Sequence, residues 1–106
     1  MTLEEQVKAI TQALDDKKAE DVRTYDVRGV SGLCDFFVVA TGTAAPHLKG
    51  LVAGVQQAMK ALGVESFRTS GDPESGWIAV DYIDVVVHVF SPEARAYYAL
   101  EKLWQR

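Results

Sequence analysis

The sequence predicts an α/β (α+β) fold, a mixed five-stranded sheet with helices mainly on one face, in the order α-β-β-α-β-β-β-α. Three observations carry that prediction. Residues 77–82 and 84–90 are dominated by β-branched and aromatic side chains, and the short Asp81-Tyr82-Ile83-Asp84 link between them closes an antiparallel hairpin. Leu48, Leu51, Val52, Val55, Met59 and Leu62 recur at helical spacing, which defines an amphipathic helix in mid-chain. Strand patterns stand on both sides of that helix, so one parallel connection is expected among otherwise antiparallel pairs.

Taken in order, Thr2 and Glu5 match a capping box, and Leu3, Val7, Ile10 and Leu14 form one apolar stripe, so the first helix should end near Lys18. Residues 21–27 read as a short polar-alternating strand with Arg28-Gly29 as its turn. Residues 33–41 read as a more apolar, central strand. Thr43 is the expected cap of the second helix, with Pro46 in its first turn and Gly63 just past its end. Residues 66–69 read as a brief strand, and the glycines and proline of residues 71–76 as an irregular loop before Trp77. In the hairpin, a period of two puts Trp77, Ala79 and Asp81 on one face and Ile78, Val80 and Tyr82 on the other. Likewise Val85, Val87 and Val89 oppose Asp84, Val86, His88 and Phe90. Ser91 caps a closing helix with Pro92 at its first position, expected to run to about Leu103. Its Tyr97, Tyr98, Leu100, Leu103 and Trp104 are expected mostly in the core, with one tyrosine left for the surface.

A chain of 106 residues with 48% hydrophobic and 25% charged content fits one ordinary globular domain, spanning residues 1–106. The longest apolar runs, residues 36–40 and 85–87, are too short to span a bilayer, and the N-terminal stretch is acidic and amphipathic rather than basic then apolar. A cytoplasmic location without membrane contact is expected. The single cysteine, Cys34, excludes an internal disulfide and a cysteine-rich zinc site, and its strand context suits a buried inert thiol. A net charge of −4 argues against a surface that tracks phosphates and favours a basic protein partner.

Candidate chemistry is sparse. Asp81 and Asp84 are a candidate metal-binding pair, with Asp35 as a third candidate, since two or three convergent carboxylates hold Mg²⁺ in phosphoryl transfer, but polar residues at a hairpin turn are also simply solvated. Thr41-Gly42-Thr43 is the one candidate phosphate cradle and lacks the length and lysine of a P-loop. His47 and His88 have no ligand spacing, and His88 reads as packed or interfacial. Trp77 reads either as sheet-edge core or as a binding hot spot beside carboxylates.

Residues 34–43 leading into a helix, then Trp77, then Asp81-Tyr82-x-Asp84 followed by residues 85–90, and the closing Leu100-Glu101-x-Leu103-Trp104 resemble the ribosomal silencing factor, or Iojap, family. The resemblance runs nearly the whole chain. It implies a nucleotidyltransferase-like fold without the catalytic motif. It also implies a bacterial factor without enzymatic activity or cofactor, which binds the large ribosomal subunit through that subunit's ribosomal protein fourteen. Binding would block joining of the small subunit and lower translation when nutrients are scarce, with RNA contact minor or absent. Trp77 would be the apolar anchor, Asp81 and Asp84 the charge partners of a basic surface, and Tyr82 and His88 flanking contacts. The chain departs from the family pattern at Ala44-Ala45-Pro46, at Ser70-Gly71 and at Ile83, where the family commonly has glycine in the turn. The alternatives are a small Mg²⁺-dependent nucleotidyltransferase using Asp81 and Asp84, and a homodimer formed through the sheet face.

Overall fold

The computed structural model describes residues 2–28 and 35–98, leaving aside the Tyr98 side chain. Helix α1 (Leu3–Asp16) starts at the expected capping box, in which the Glu5 backbone N–H donates to Thr2 and the Glu5 carboxylate accepts from the Thr2 N–H. Strands β1 (Glu20–Asp26) and β2 (Phe36–Thr41) precede helix α2 (Ala45–Ala61). Strand β3 (Arg68–Asp72), a 3₁₀ turn at Pro73–Ser75, strands β4 (Trp77–Asp81) and β5 (Val85–Phe90), and helix α3 (Pro92–Tyr98) complete the order. Cys34 and the closing-helix residues Leu100, Leu103 and Trp104 lie outside the described residues.

The five strands form one mixed sheet in the order β1-β2-β5-β4-β3. β2 and β5 run parallel, with Phe36 opposite Val85 and Thr41 opposite Phe90, and the β1–β2, β4–β5 and β3–β4 pairs are antiparallel. The parallel partner of β2 is therefore β5 rather than β3. Valine-rich β2 and β5 take the centre because both their faces are covered, whereas every residue of β3 is exposed, as suits an edge.

Helices α1 and α2 cover one face. Ile10, Leu14, Leu48, Leu51, Val55 and Met59 meet Val38, Ala40, Ile78, Val80, Val85, Val87 and Val89 there, all at 5% exposure or less. A smaller cluster of Val39, Phe90 and Ala94, flanked by Tyr25 and Trp77, lies on the far face and brings α3 against it.

Two boundaries differ from the sequence reading. β3 covers residues 68–72 rather than 66–69, so Gly71 and Asp72 belong to a strand and only Pro73–Ser75 turns. Gly71 reaches its pairing position opposite Ile78 with φ +93, so a residue associated with loops sits inside a ladder. At α2 the cap residue is Ala44, without a side-chain hydrogen bond. The Thr43 N–H donates instead to Nδ1 of His47 at 2.9 Å, which leaves Nε2 as the donor to the Lys17 carbonyl at 2.8 Å. One imidazole thus ties the start of α2 to the end of α1. At the other helix, the Ser91 hydroxyl caps α3 by accepting from the Ala94 N–H, as expected.

Candidate partner-binding face

Ladder register assembles the far face from all five strands. Arg23 and Tyr25 stand opposite Val39 and Phe37. Across the centre lie Val86, His88 and Phe90, and beyond them Asp81, Ala79 and Trp77 with their partners Arg68, Ser70 and Asp72. Trp77, Asp81 and His88 are therefore brought together, as the period of two predicts.

Trp77 is half-buried and stacks on Phe90, with ring centroids 5.4 Å apart and planes 27° from parallel. Its indole N–H donates to Nδ1 of His88 at 3.1 Å. His88 is only 7% exposed, lying between Phe90 (10° between planes) and Phe37, which meets it edge-on at 5.0 Å. Because Nδ1 accepts, the neutral ring carries its proton on Nε2, and that atom is buried with no hydrogen-bond partner among the described residues. Burial drives the His88 pKa down from 6.5 to about 4, against a smaller upward pull from the Asp81 carboxylate.

The aspartates are placed differently from one another. The Asp81 carboxylate accepts from the Ile83 N–H at 2.7 Å, which supports the hairpin turn. In that turn the Asp84 N–H donates to the Tyr82 carbonyl and Ile83 adopts φ +74, the positive-φ form of a γ-turn. Ile83 thus takes up a strained backbone that glycine would occupy freely. The Asp84 side chain is exposed, while its carbonyl accepts from the N–H groups of both Asp35 and Phe36. Among the described residues, no three His, Cys, Asp or Glu side chains stand close enough to hold a metal ion.

Tyr82 is a correction. It is 6% exposed and belongs to the core under α1 and α2, because it follows the parity of Ile78 and Val80, and burial raises its hydroxyl pKa. A side chain packed there is not a flanking contact on the far face. The face is also less acidic than composition suggests, since Arg68 stands opposite Asp81 and Arg23 opposite Val39. Two contributors escaped the sequence reading. Phe37 shares the parity of Val39 and was legible, but Arg95 was not. That residue, on α3, is 9% exposed and donates to the Asp21 carbonyl at 2.7 Å and to the Thr41 hydroxyl at 2.8 Å.

Because the His88 pKa is lower in the folded state, its contribution to stability is complete above pH 6.5 and is lost as pH falls toward 4. Urea denaturation should show about 2 kcal/mol less stability at pH 5 than at pH 8 from this residue. The loss should flatten in His88→Phe; an unchanged slope in that variant would assign the acid sensitivity elsewhere.

Fold and face together define a small mixed α/β domain, helix-roofed on one side and presenting an aromatic cluster with a buried neutral histidine on the other. The family model described as "Ribosomal silencing factor during starvation" matches residues 1–106. Ribosomal silencing factor RsfS of Halalkalibacterium halodurans is 36% identical over 104 residues, covering 98% of this chain and 89% of that protein. Mitochondrial assembly of ribosomal large subunit protein 1 of mouse is 31% identical over 98 residues, and this match covers 90% of this chain and 43% of the longer mouse protein. A crystal structure of a Chromobacterium violaceum protein superposes with a TM-score of 0.94 at 38% identity, covering 100% of this chain and 90% of that one. The chain belongs to the ribosomal silencing factor family.

Proposed function

We propose that this protein docks on the large ribosomal subunit through ribosomal protein fourteen and, by its bulk, keeps the small subunit from joining, lowering translation under nutrient limitation. The observation that carries this reading is the far face itself, where Trp77 stacks on Phe90 and shares its strand face with Asp81. A half-buried indole on an aromatic bed is the arrangement from which binding hot spots are built, because its large apolar area is already held in one orientation. Asp81 and the exposed Asp84 at the adjoining turn offer carboxylates to Lys or Arg of a basic partner. The family name, and the large-subunit assembly role in the mouse relative's name, point the same way. The mechanism is steric, acts from the cytoplasm, and needs neither catalysis nor a cofactor.

The test is co-sedimentation of the purified protein with isolated large and small subunits, followed by subunit reassociation in its presence. Wild-type protein should pellet with large subunits alone and reduce the assembled fraction. Trp77→Ala should weaken that binding by about 2 kcal/mol, roughly thirtyfold, with the fold intact by circular dichroism. Undiminished binding of this variant would move the interface off the far face.

A further inference from the structure

We propose that His88 is a positioning residue for Trp77: its neutral imidazole, accepting through Nδ1, fixes the indole in the orientation that engages the partner, and protonating it disengages the face. The inference rests on the reading of Trp77 as the docking anchor.

The geometry carries it. A side chain serving only to fill the space between Phe37 and Phe90 has no need of nitrogen, and phenylalanine would do so without burying a polar atom. His88 instead carries an Nε2–H buried with no partner among the described residues, an arrangement that costs free energy wherever it occurs. The nitrogen that is used is Nδ1, and the group it serves is the Trp77 indole. Rings on either side confine the imidazole, so the acceptor lone pair points in one direction and the indole must follow it. Without this bond Trp77 keeps its stacking on Phe90 but loses the acceptor that directs its N–H, and a partner must then supply that part of the ordering itself.

Protonation reverses the device, because an imidazolium carries hydrogen on both nitrogens and presents no acceptor to the indole. Among the described residues, the charged and titratable groups around His88 are few. On its own strand there is none. From β4, Asp81 favours the protonated form. From β2 come Phe37 and Val39, without charge. β3 brings Arg68 opposite Asp81 and Asp72 opposite Trp77, and β1 brings Arg23 and Tyr25 opposite Val39 and Phe37. On α3, Arg95 is engaged with Asp21 and Thr41. Burial outweighs the single favourable carboxylate, so the ring stays neutral down to about pH 4.

The test reads the indole N–H resonances of Trp77 and Trp104, assigned through Trp77→Phe, together with co-sedimentation with large subunits. In the wild type the Trp77 signal and the His88 ring resonances should titrate together with one midpoint far below 6.5. His88→Phe keeps the ring shape without the acceptor, whereas His88→Asn restores an acceptor near Nδ1. His88→Phe should shift the Trp77 signal and weaken binding at least about tenfold, while His88→Asn stays within about threefold of wild type. An indole signal that ignores the His88 titration overturns the proposal, and this result needs no variant at His88. Wild-type affinity in His88→Phe, with Trp77→Ala defective, also overturns it while leaving the docking reading intact. Wild-type affinity in Trp77→Ala moves the docking interface off the far face and removes the proposal with it.

Discussion

Gly71→Ala is expected to cost at least about 3 kcal/mol, because the new side chain meets two independent penalties. The backbone at Gly71 has φ +93, and a Cβ there would meet the Trp77 carbonyl oxygen and lie 3.1 Å from the Ile78 Cα. Both neighbours are main-chain atoms of the paired strand and cannot swing aside as a flexible side chain would. β3 is a fully exposed edge strand, so the cheapest relaxation is for it to peel from β4 while the core holds. Peeling would also remove one wall of the small apolar slot, about 140 Å³, formed by Ser70, Gly71, Trp77 and Ala79. Thermal denaturation should show a fall in Tm of at least about 10 °C, and hydrogen exchange should show faster exchange along β4. A Tm within a degree of wild type would mean that the strand accommodates the methyl group.

Arg95→Ala is the second large effect, also about 3 kcal/mol, measured by urea denaturation at neutral pH. The guanidinium is nearly buried and, among the described residues, reaches the Asp21 carbonyl, the Thr41 hydroxyl and, at 3.3 Å, the Asp21 carboxylate. Asp21 itself has φ +48 and lies in an irregular stretch of β1, where the register slips between Glu20 and Arg23. Arg95 therefore holds a strained edge residue in place and fastens α3 to the first two strands. Arg95→Lys should recover little of the loss, since an ammonium on a flexible stem lacks the planar fork that meets three acceptors together. A cost below about 1 kcal/mol would reduce the contact to an ordinary surface ion pair.

These two residues also mark where the sequence stops being readable. Elements whose signals are local came through. Thr2 and Ser91 cap helices within four residues of themselves, and the valines of β5 alternate against one packed layer. Trp77 and His88 were legible as neighbours because strand parity needs only the hairpin. Asp81 was legible as a turn-proximal carboxylate, but not as the acceptor supporting Ile83. Misread positions depend on partners distant in sequence. The cap of α2 falls to Ala44 without a side-chain bond, while His47 accepts from the Thr43 N–H and its second nitrogen donates across to the Lys17 carbonyl. Gly71 reads as a loop residue until its partner strand is known, and nothing local to Arg95 announces Thr41 or Asp21. Tyr82 was misassigned for a different reason. The resemblance suggested a contact there, although the parity of the strand already put it on the buried side.

The sheet order also sets a timetable for folding. β5 lies between β2 and β4, so the middle of the sheet is closed by a strand made after all the others. Until residues 85–90 have been synthesised, the inner edge of β2 has no neighbour, and its valines lack the layer that β5 completes. A nascent chain can build α1, β1, β2 and α2 as one body and still carry an unpaired hydrophobic strand edge, the feature through which partly made proteins stick to one another. Inserting β5 is thus a long-range closure, which slows the final step relative to a sheet of successive hairpins.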